Sequence, residues 1–431
     1  MYDVSGFNPT TAPAADLSSR TAGYYSTAQI GTVGGQFLGI VNGTDAGQVY
    51  DGSSWSAMSF TGVSSSDLSA IWLYRSRWFF VEKDTLNAWY LPVDSITGTA
   101  QTVSLAGVFQ RGGALFFGAT WSLDSGDGQD DKNVFVSTDG EVAIYEGADP
   151  SSATDWRLVG RYDIAKPLGV NCTMQAGGDL LIATIEGIVP LSQVLQKDPA
   201  ALAFSAVSRP IESLWTFNAQ TTTQPVELLK WSDRGIGLVT FPDADFIPVV
   251  SLQRGAWGKQ TGWVGNCAEA FAGKAYIGRS DGTIVAVDET GLDLDQPYTA
   301  RYCAGFEDWG QPDCKVAQNM RCVFYAPAEF VFSGSVATNF LADDFPSAPA
   351  DAGVTASDDY LIWDVGNWDE KLWWSEAVTQ STFGITSEWF SVSGSGHVLA
   401  AQVQITSGMA TKPNIELIRC DLTYENGGVV V

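Results

Sequence analysis

A hydrophobic segment, a short polar turn and a second hydrophobic segment recur six times between about residue 29 and residue 300. The turns lie at or beside Gly47, Asn87, Gly140, Gly187, Asp245 and Gly282. Asp-Gly pairs such as Asp139-Gly140 favour hairpins with type I′ turns, which need positive φ at both central residues. The mean turn spacing is 47 residues, and repeats of about 40–50 residues with several strands each are typical of β-propeller blades.

The repeats predict an all-β fold in which residues 29–300 form a β-propeller of about six blades. Turn spacings between 37 and 58 residues leave five or seven blades, or a β-sandwich of irregular hairpins, open. Trp55, Trp156 and Trp257 each follow the second strand of a hairpin, and we interpret their segments as outer strands whose rings fill the space between blades. No helix of several turns is predicted, because Pro199 interrupts the best candidate, LSQVLQKDPAALAF.

The pattern changes near Tyr302, where longer strand segments begin. RCVFYAPAEFVFSGSV and NFLADDF precede a Pro-rich link, and EWFSVSG, HVLAAQVQITS and IELIRCDLTYE follow it. The last two segments alternate in the way expected of strands with one buried face. We therefore expect a separate β-sandwich or barrel-like platform domain over residues 301–431. Residues 1–28, rich in Pro, Ala, Ser and Thr, are interpreted as an extended arm that could join this platform.

The 431 residues carry a net charge of −26 at pH 7. An acidic surface repels phosphates and anionic membranes, so tight nucleic-acid binding is not expected. A repulsive wall is compatible with a duct through which DNA slides, although solubility alone is the simpler explanation of the charge. The sequence has no signal-peptide pattern and no apolar run of about 20 residues, so we expect no membrane anchor.

The six cysteines contain no C-x-x-C pair. A zinc site would need Cys303, Cys314 and Cys322 with a fourth ligand at unusual spacing, since His397 is the only histidine. Free, mostly buried thiols in a protein folded in a reducing cytoplasm are the expected state.

Few other groups suggest chemistry. The acidic loop from Asp124 to Asp131 carries oxygen ligands that suit Ca²⁺, but its spacing is not that of an EF-hand, and a solvated hairpin tip is the favoured interpretation. No serine of the sequence lies in a nucleophile motif that could act with His397, which favours a structural or exposed role for this histidine. Paired carboxylates, as at 343–344 and 358–359 or Asp364 with Asp369, would suit a glycosidase only at a fixed separation in a cleft. We predict no catalytic, cofactor-binding or metal-binding residues.

Two blocks of the chain resemble the tail nozzle or hub proteins of short-tailed, podovirus-type bacteriophages. The first block, Trp78–Arg209, includes RWFFVEKDTLNAWYLPV and NVFVSTDGEVAIYEG. The second, Trp363–Gly428, includes WDVGNWDEKLWW, the Gly394-Ser395-Gly396 turn and the closing YENGG. Together the blocks cover roughly half of the chain.

The resemblance implies a structural virion protein and no enzyme. Subunits of that family form a ring, usually a hexamer, below the portal and adaptor rings, with propellers outside the tube and a β-rich platform against the adaptor. It implies a homo-oligomer made in the bacterial host cytoplasm, which contacts the adaptor ring and other tail proteins such as fibres. DNA would pass through the lumen during ejection without specific binding. The short N-terminal arm departs from the family, which leaves its share in the platform open.

A carbohydrate-binding or glycan-cleaving propeller, such as a receptor-binding protein, is the alternative. The 16 Trp and the many carboxylates motivate it.

Overall fold

The computed structural model describes residues 17–122, 131–196, 199–294, 296–326, 330–342, 345, 354–357, 360–362, 372–374, 383–407 and 414–427. The chain divides into two units, residues 1–287 and residues 288–431. The strand that begins at Thr299 pairs within the second unit. Of the expected arm, residues 17–28 are described, and the first strand begins within them at Ser26.

Short antiparallel strands build the first unit. Its first ten strands are β1 (Ser26–Thr32), β2 (Gly35–Val41), β3 (Gln48–Tyr50), β4 (Trp55–Ala57), β5 (Phe60–Thr61), β6 (Leu68–Tyr74), β7 (Arg77–Glu82), β8 (Asn87–Tyr90), β9 (Gly98–Thr99) and β10 (Gln101–Ser104). The next fourteen are β11 (Leu115–Trp121), β12 (Lys132–Ser137), β13 (Glu141–Glu146), β14 (Arg157–Asp163), β15 (Thr173–Ala176), β16 (Asp179–Thr184), β17 (Gly187–Pro190), β18 (Glu227–Trp231), β19 (Ile236–Thr240), β20 (Phe246–Ser251), β21 (Trp257–Thr261), β22 (Cys267–Phe271), β23 (Lys274–Gly278) and β24 (Ile284–Ala286).

The strands form six small sheets, which confirms the predicted propeller of about six blades. The strand orders are β1-β2-β3-β4, β10-β8-β7-β6, β11-β12-β13-β14, β15-β16-β17, β18-β19-β20-β21 and β22-β23-β24, and β5 pairs with β9 in parallel. We number these sheets as blades 1 to 6 in chain order. Each of the six predicted hairpins is the pair formed by the second and third strands of a blade.

The turn type expected at the Asp-Gly pairs is wrong. Gly140 has φ of +83°, but Asp139 is not among the residues with positive φ. Residues 138–140 are a three-residue connection, in which a type I turn is followed by one left-handed residue, so only the glycine must adopt positive φ. In blade 2 the turn precedes Asn87, which is the first residue of β8.

The Trp-bearing segments are the outer strands, as predicted. Trp156, next to β14, stacks on Tyr145 in its own blade at 5.1 Å between ring centroids and on Phe79 of blade 2 at 6.2 Å. Trp257 in β21 donates its indole N–H to the carbonyl oxygen of Val207 at 3.0 Å. Trp55 in β4 contacts Tyr50 within blade 1. Two of the three rings therefore contact a neighbouring part of the propeller beyond their own blade.

Helices replace the fourth strand of blade 4. They are α1 (Leu191–Val194), α2 (Pro199–Leu202) and α3 (Glu212–Thr221), with 3-10 turns at Ala203–Ser205 and Arg209–Ile211. The prediction of no helix of several turns is wrong at α3. Trp215 of α3 is buried and donates to the carbonyl oxygen of Thr184 in β16 at 2.9 Å. Tertiary packing of Trp215 and Ala219 in the propeller core, and not an amphipathic pattern, holds the helix on the blade.

The second unit is one highly bent sheet. Its strands are β25 (Thr299–Cys303), β26 (Lys315–Ala326), β27 (Phe330–Thr338), β28 (Val354–Ser357), β29 (Tyr360–Ile362), β30 (Leu372–Trp374), β31 (Phe383–Ser387), β32 (Phe390–Ser391), β33 (Ser395–Gly396), β34 (Leu399–Thr406) and β35 (Glu416–Asn426). The order β25-β34-β27-β28-β31-β26 continues to β35, which pairs with β26, while β29 and β30 form a separate parallel pair.

The bent sheet encloses its own core, in agreement with the predicted sandwich-like domain. Met320, Cys322 and Phe324 on β26 pack with Phe332 on β27 and Val403 on β34. One predicted strand segment, NFLADDF, begins instead as a turn, because Asn339 and Phe340 have φ of +51° and +67°.

In the described part of the chain, no helix is long and apolar enough to cross a membrane.

Candidate functional site

The centre of the propeller contains a cavity of about 900 Å³. Its walls come from the innermost strands β1, β6, β11, β15, β18 and β22, one from each blade. Five aromatic residues contribute to the lining: Tyr25, Trp72, Phe117, Phe271 and Tyr276. The described lining residues include the carboxylates Glu227 and Glu269 but no Lys or Arg. A cavity of this size with a few convergent polar groups is the place in this unit where a small ligand would bind.

Glu227 is a buried carboxylate of the cavity lining. It begins β18 and is 8% exposed. One carboxyl oxygen accepts the side-chain N–H of Asn171 at 3.0 Å, and the other accepts the backbone N–H of Ala268 at 3.2 Å. Burial outweighs these hydrogen bonds and raises the pKa of Glu227. The carboxyl group therefore retains its proton to a higher pH than an exposed glutamate does.

Asn171 also connects opposite sides of the ring. Its side-chain N–H donates to the carbonyl oxygen of Tyr25 at 3.0 Å. Asn171 precedes β15 of blade 4 and Tyr25 precedes β1 of blade 1, and these blades are opposite each other in a six-bladed ring. Burial and the nearby Glu227 carboxyl raise the pKa of the adjacent Tyr24. At the position of the hydrogen bond between Asn171 and Tyr25, these two residues span the channel.

The N-terminal residues that reach the channel are fixed at their other end. Asp45, in the loop between β2 and β3, accepts the side-chain hydroxyl of Thr21 at 2.7 Å and the backbone N–H of Ala22 at 3.2 Å. Asn42 donates to the same carboxylate at 2.8 Å. Residues 21–25 are thus a hydrogen-bonded segment that passes from blade 1 to the channel.

Two thiols near Glu227 are poor nucleophiles. Burial raises the pKa of Cys172 to about 12. The side chain of Cys267 is exposed at its surface, but the protein atoms around it desolvate the thiol and, with the nearby Glu227 carboxylate, raise its pKa. A thiol with a raised pKa holds little thiolate at neutral pH. The described residues that line the cavity include no histidine. The channel can accommodate and orient a ligand, but its described residues do not form a nucleophile–base pair.

A second buried carboxylate, Glu141, is structural. It accepts the backbone N–H groups of Gln110 and Arg111, each at 2.9 Å, and pairs with the guanidinium of Arg161. Burial favours a higher pKa, but these donors together lower the pKa of Glu141 below its ordinary value. Glu141 therefore fixes the loop before β11 to blade 3.

In the second unit, Gly396 and His397 of the second block, Trp363–Gly428, belong to a hydrogen-bonded corner around Lys315. Lys315 is fully buried, and its ammonium donates to the carbonyl oxygens of Gln311, Asp313 and His397 at 2.6, 3.1 and 2.9 Å. Lys315 also pairs with Gly396 of the Gly-Ser-Gly turn. Through the Lys315 ammonium, the corner connects the backbone at residues 311–313 to the backbone at His397.

His397 has a structural position in this corner. Its Nδ1 lies 2.9 Å from the carbonyl oxygen of Pro312, and its backbone N–H donates to the side chain of Asn339 at 2.9 Å. Nearby, Trp309 stacks on Tyr424 of the closing motif at 4.5 Å between centroids.

The other predicted candidates lie partly outside the described residues. Of the acidic loop, Asp131 is described: its carbonyl oxygen accepts the Tyr74 hydroxyl at 3.0 Å, and its carboxylate pairs with Ser122. The rest of that loop, both Trp-Asp pairs and the carboxylate pairs at 343–344 and 358–359 lie outside the described residues. Where the chain is described, no three His, Cys, Asp or Glu side chains form a metal-binding group, so Cys303, Cys314 and Cys322 are not brought together with a fourth ligand.

All six cysteines are free thiols. Cys172 and Cys322 are buried, Cys303, Cys314 and Cys420 are half-buried, and Cys267 is exposed. The expectation of mostly buried thiols therefore holds for only two of them.

The groups that organise both units were not predicted. Glu227 carries one sequence signal, a carboxylate at the start of the mostly apolar strand VELLKW. Its hydrogen-bond partners Asn171 and Tyr24 do not lie at a distance along the sequence from Glu227 that would identify them as partners. Lys315 is bound by backbone carbonyl groups, which leave no mark in the sequence.

No protein-family model matches the chain, and the comparison with curated proteins gives no match. Among solved structures, Sqt1 of Chaetomium thermophilum, bound to the N-terminus of ribosomal protein L10, is 17% identical, with 61% of this chain and 70% of that chain covered and a TM-score of 0.36. Saccharomyces cerevisiae Sqt1 is 11% identical with the same coverage and a TM-score of 0.37. The computationally designed Ika8 protein is 13% identical, again over 61% and 70%, with a TM-score of 0.36.

Proposed function

We propose that the protein is a structural subunit of a short-tailed phage tail, of the nozzle or hub type. It assembles as a ring, in our proposal a hexamer, below the adaptor, and extends the channel for DNA ejection. The observation that carries the proposal is the resemblance of Trp78–Arg209 and Trp363–Gly428 to that family. The arrangement of a propeller followed by a separate β unit supports it.

The described part of the second block supports a structural role for it. Gly396, His397 and Tyr424 contribute hydrogen bonds, strand pairing and stacking around Lys315. A rigid corner built from backbone acceptors suits an assembly domain, because it holds an adjacent surface in one geometry. The propeller channel is crossed by the bond between Asn171 and Tyr25, so DNA would pass along the axis of the ring and not through a propeller.

An apolar turn beside the corner is our choice for the contact with a neighbouring subunit or the adaptor. Phe340 and Leu341 are 72% and 68% exposed. Asn339 fixes the turn by accepting the backbone N–H of His397, and Phe306 packs against Phe340 at 5.0 Å between centroids. Exposed apolar side chains on an ordered turn are typical of interface anchors.

The test uses the full-length protein alone and mixed with the adaptor of the phage that encodes it. Light scattering coupled to gel filtration should give an assembly of six 46.1-kDa chains, alone or on the adaptor, and electron microscopy should show a ring. A protein that stays monomeric at every concentration and does not bind the adaptor would exclude the proposal.

A double variant, F340S with L341S, should lower the assembled fraction at least tenfold without changing the melting temperature. The matched control is F217S, which removes an equally exposed phenylalanine from α3 of the first unit and should assemble like the wild type. If both variants assemble normally, the turn is not the contact, whereas ring formation by the wild type would still support the function.

The channel favours one alternative, a carbohydrate-binding or glycan-cleaving propeller. Tyr25, Phe271 and Tyr276, which are not buried, supply aromatic groups with which proteins bind sugars, and Glu227 and Glu269 supply carboxylates. Binding of a glycan by the wild type, lost in E269Q, would favour this function. Absence of binding or hydrolysis over a broad set of bacterial surface glycans would count against it.

A further inference from the structure

Cys322 and Cys420 face each other across two paired strands. They are register partners in β26 and β35, and their sulfur atoms are 3.6 Å apart. The remaining cysteines of the second unit, Cys303 and Cys314, are not paired with them or with each other. The contact is therefore a specific thiol pair and is independent of the proposed function.

The backbone around the pair has the geometry that a disulfide needs. The N–H of Cys322 donates to the hydroxyl of Ser387 at 2.9 Å, on the side of β26 away from β35. Cys322 and Cys420 thus form a non-hydrogen-bonded antiparallel pair, in which Cα atoms are about 4.5 Å apart. Disulfides span Cα distances of about 4.4–6.8 Å. Side-chain rotation alone can close the bond, without movement of the strands.

The two thiols differ in the way that exchange chemistry requires. Cys420 is half-buried, whereas Cys322 is fully buried. The hydrogen bond between the two thiols lowers the pKa of Cys420 and raises that of Cys322. Cys420 is consequently the accessible thiolate that attacks first, and Cys322 is the thiol that resolves the intermediate.

We propose that Cys322 and Cys420 are a modification site, at which a low-molecular-weight disulfide oxidises the pair to a cross-strand disulfide. The Cys420 thiolate attacks one sulfur of glutathione disulfide, which breaks the S–S bond and releases one glutathione thiolate. Cys322 loses its proton to that thiolate and attacks the Cys420 sulfur, which releases the second glutathione. Two cysteine thiols thereby lose two electrons and two protons, and one glutathione disulfide becomes two glutathione molecules.

The bond would tie the last described strand to the longest strand of the unit. It closes a loop between positions 98 residues apart. Closing a loop of about 100 residues removes much of the conformational freedom of the unfolded chain. The pair stays reduced in a reducing compartment and becomes oxidised in an oxidising one.

The test incubates the reduced full-length protein with glutathione disulfide, blocks free thiols with N-ethylmaleimide and maps peptides without reduction. We expect a Cys322–Cys420 cross-link and a rise of about 5–15 °C in the melting temperature of the second unit, reversed by dithiothreitol. C303S should keep both effects, since Cys303 is a free thiol that contacts the carbonyl oxygen of Ala304 and lies outside the pair. C420S should lose both.

C322A provides a second variant in case C420S folds poorly, and it should behave in the same way. The proposal is overturned if Cys322 and Cys420 are still alkylated after oxidation of the folded wild type. It is equally overturned if either residue forms its disulfide with another cysteine. These outcomes do not depend on ring assembly.

Discussion

Replacing Lys315 by methionine should destabilise the second unit selectively. The ammonium of this fully buried residue donates to the carbonyl oxygens of Gln311, Asp313 and His397 at 2.6–3.1 Å. Methionine keeps the length of the apolar stem but has no donor. The variant therefore leaves three backbone acceptors of the corner without their partner, while the packing around the stem is preserved.

The expected loss follows from opposing contributions. Hydrogen bonds to a charged group contribute about 1.5–3 kcal/mol each, and burying the ammonium costs several kcal/mol. The net loss on substitution is about 3–5 kcal/mol, because the orphaned carbonyls lose their donor while the desolvation cost of the charge also disappears. At about 2–4 °C per kcal/mol for a unit of this size, the melting temperature falls by about 6–20 °C.

Calorimetry of the full-length protein measures the effect, with two transitions expected for two units. Only the transition of the second unit should move, since all three acceptors of Lys315 lie in that unit. R419M is the matched control: the Arg419 side chain is 61% exposed beside Asp421, so its removal should cost less than about 1 kcal/mol. A K315M protein within about 1 kcal/mol of the wild type would refute the reasoning and indicate that water replaces the ammonium.

Three further variants test the propeller. A methyl group on Gly118 would lie 2.2 Å from the Trp72 ring, so G118A should lower the free energy of unfolding in urea by about 1–3 kcal/mol. The control G107A, with open space around the residue, should not. Equal stability of the two variants would contradict this packing. Because the pKa of Glu141 is lowered, its carboxylate stabilises the fold at pH values above 4.5, the ordinary pKa, and this stability is lost as the pH falls below 4.5. E141Q should therefore be less stable than the wild type at pH 7, by a margin that shrinks toward pH 3. The raised pKa of Glu227 gives stability the opposite pH dependence: the contribution of Glu227 is greatest below pH 4.5 and is lost as the pH rises through the raised pKa. E227Q should therefore gain stability relative to the wild type between pH 4 and pH 8. Parallel pH profiles of the two proteins would contradict this.

The hairpins could be predicted because several of the second and third strands of the blades are apolar on both faces. Strands such as RWFFVE in β7 and EVAIYE in β13 are almost entirely buried, and a turn residue separates each from its partner. Helix α3 could not be predicted, since only Trp215, Asn218 and Ala219 of its ten residues are buried. It forms where blade 4 has three strands, so tertiary packing and not local pattern decides its structure.

The groups at the sites were less predictable than the fold. Glu227 is visible as a carboxylate in an apolar strand, but the partner that binds it, Asn171, is 56 residues away. Lys315 contacts only main-chain oxygens, and those carry no residue identity. The Cys322–Cys420 pair depends on the register of two strands 98 residues apart, and register is set by the complete sheet.

The hydrogen bond between Asn171 and Tyr25 also has a consequence for biosynthesis. Its two residues are 146 positions apart, and at about 5–20 residues per second a ribosome needs about 7–30 s to add the second after the first. During that time Tyr25 lacks its hydrogen-bond partner in blade 4. Tyr24 lacks its partner Glu227 for longer, because residue 227 is added later than residue 171. Ring closure is therefore a late event of high contact order, and cotranslational folding begins with single blades whose inner edges stay open until the ring is complete.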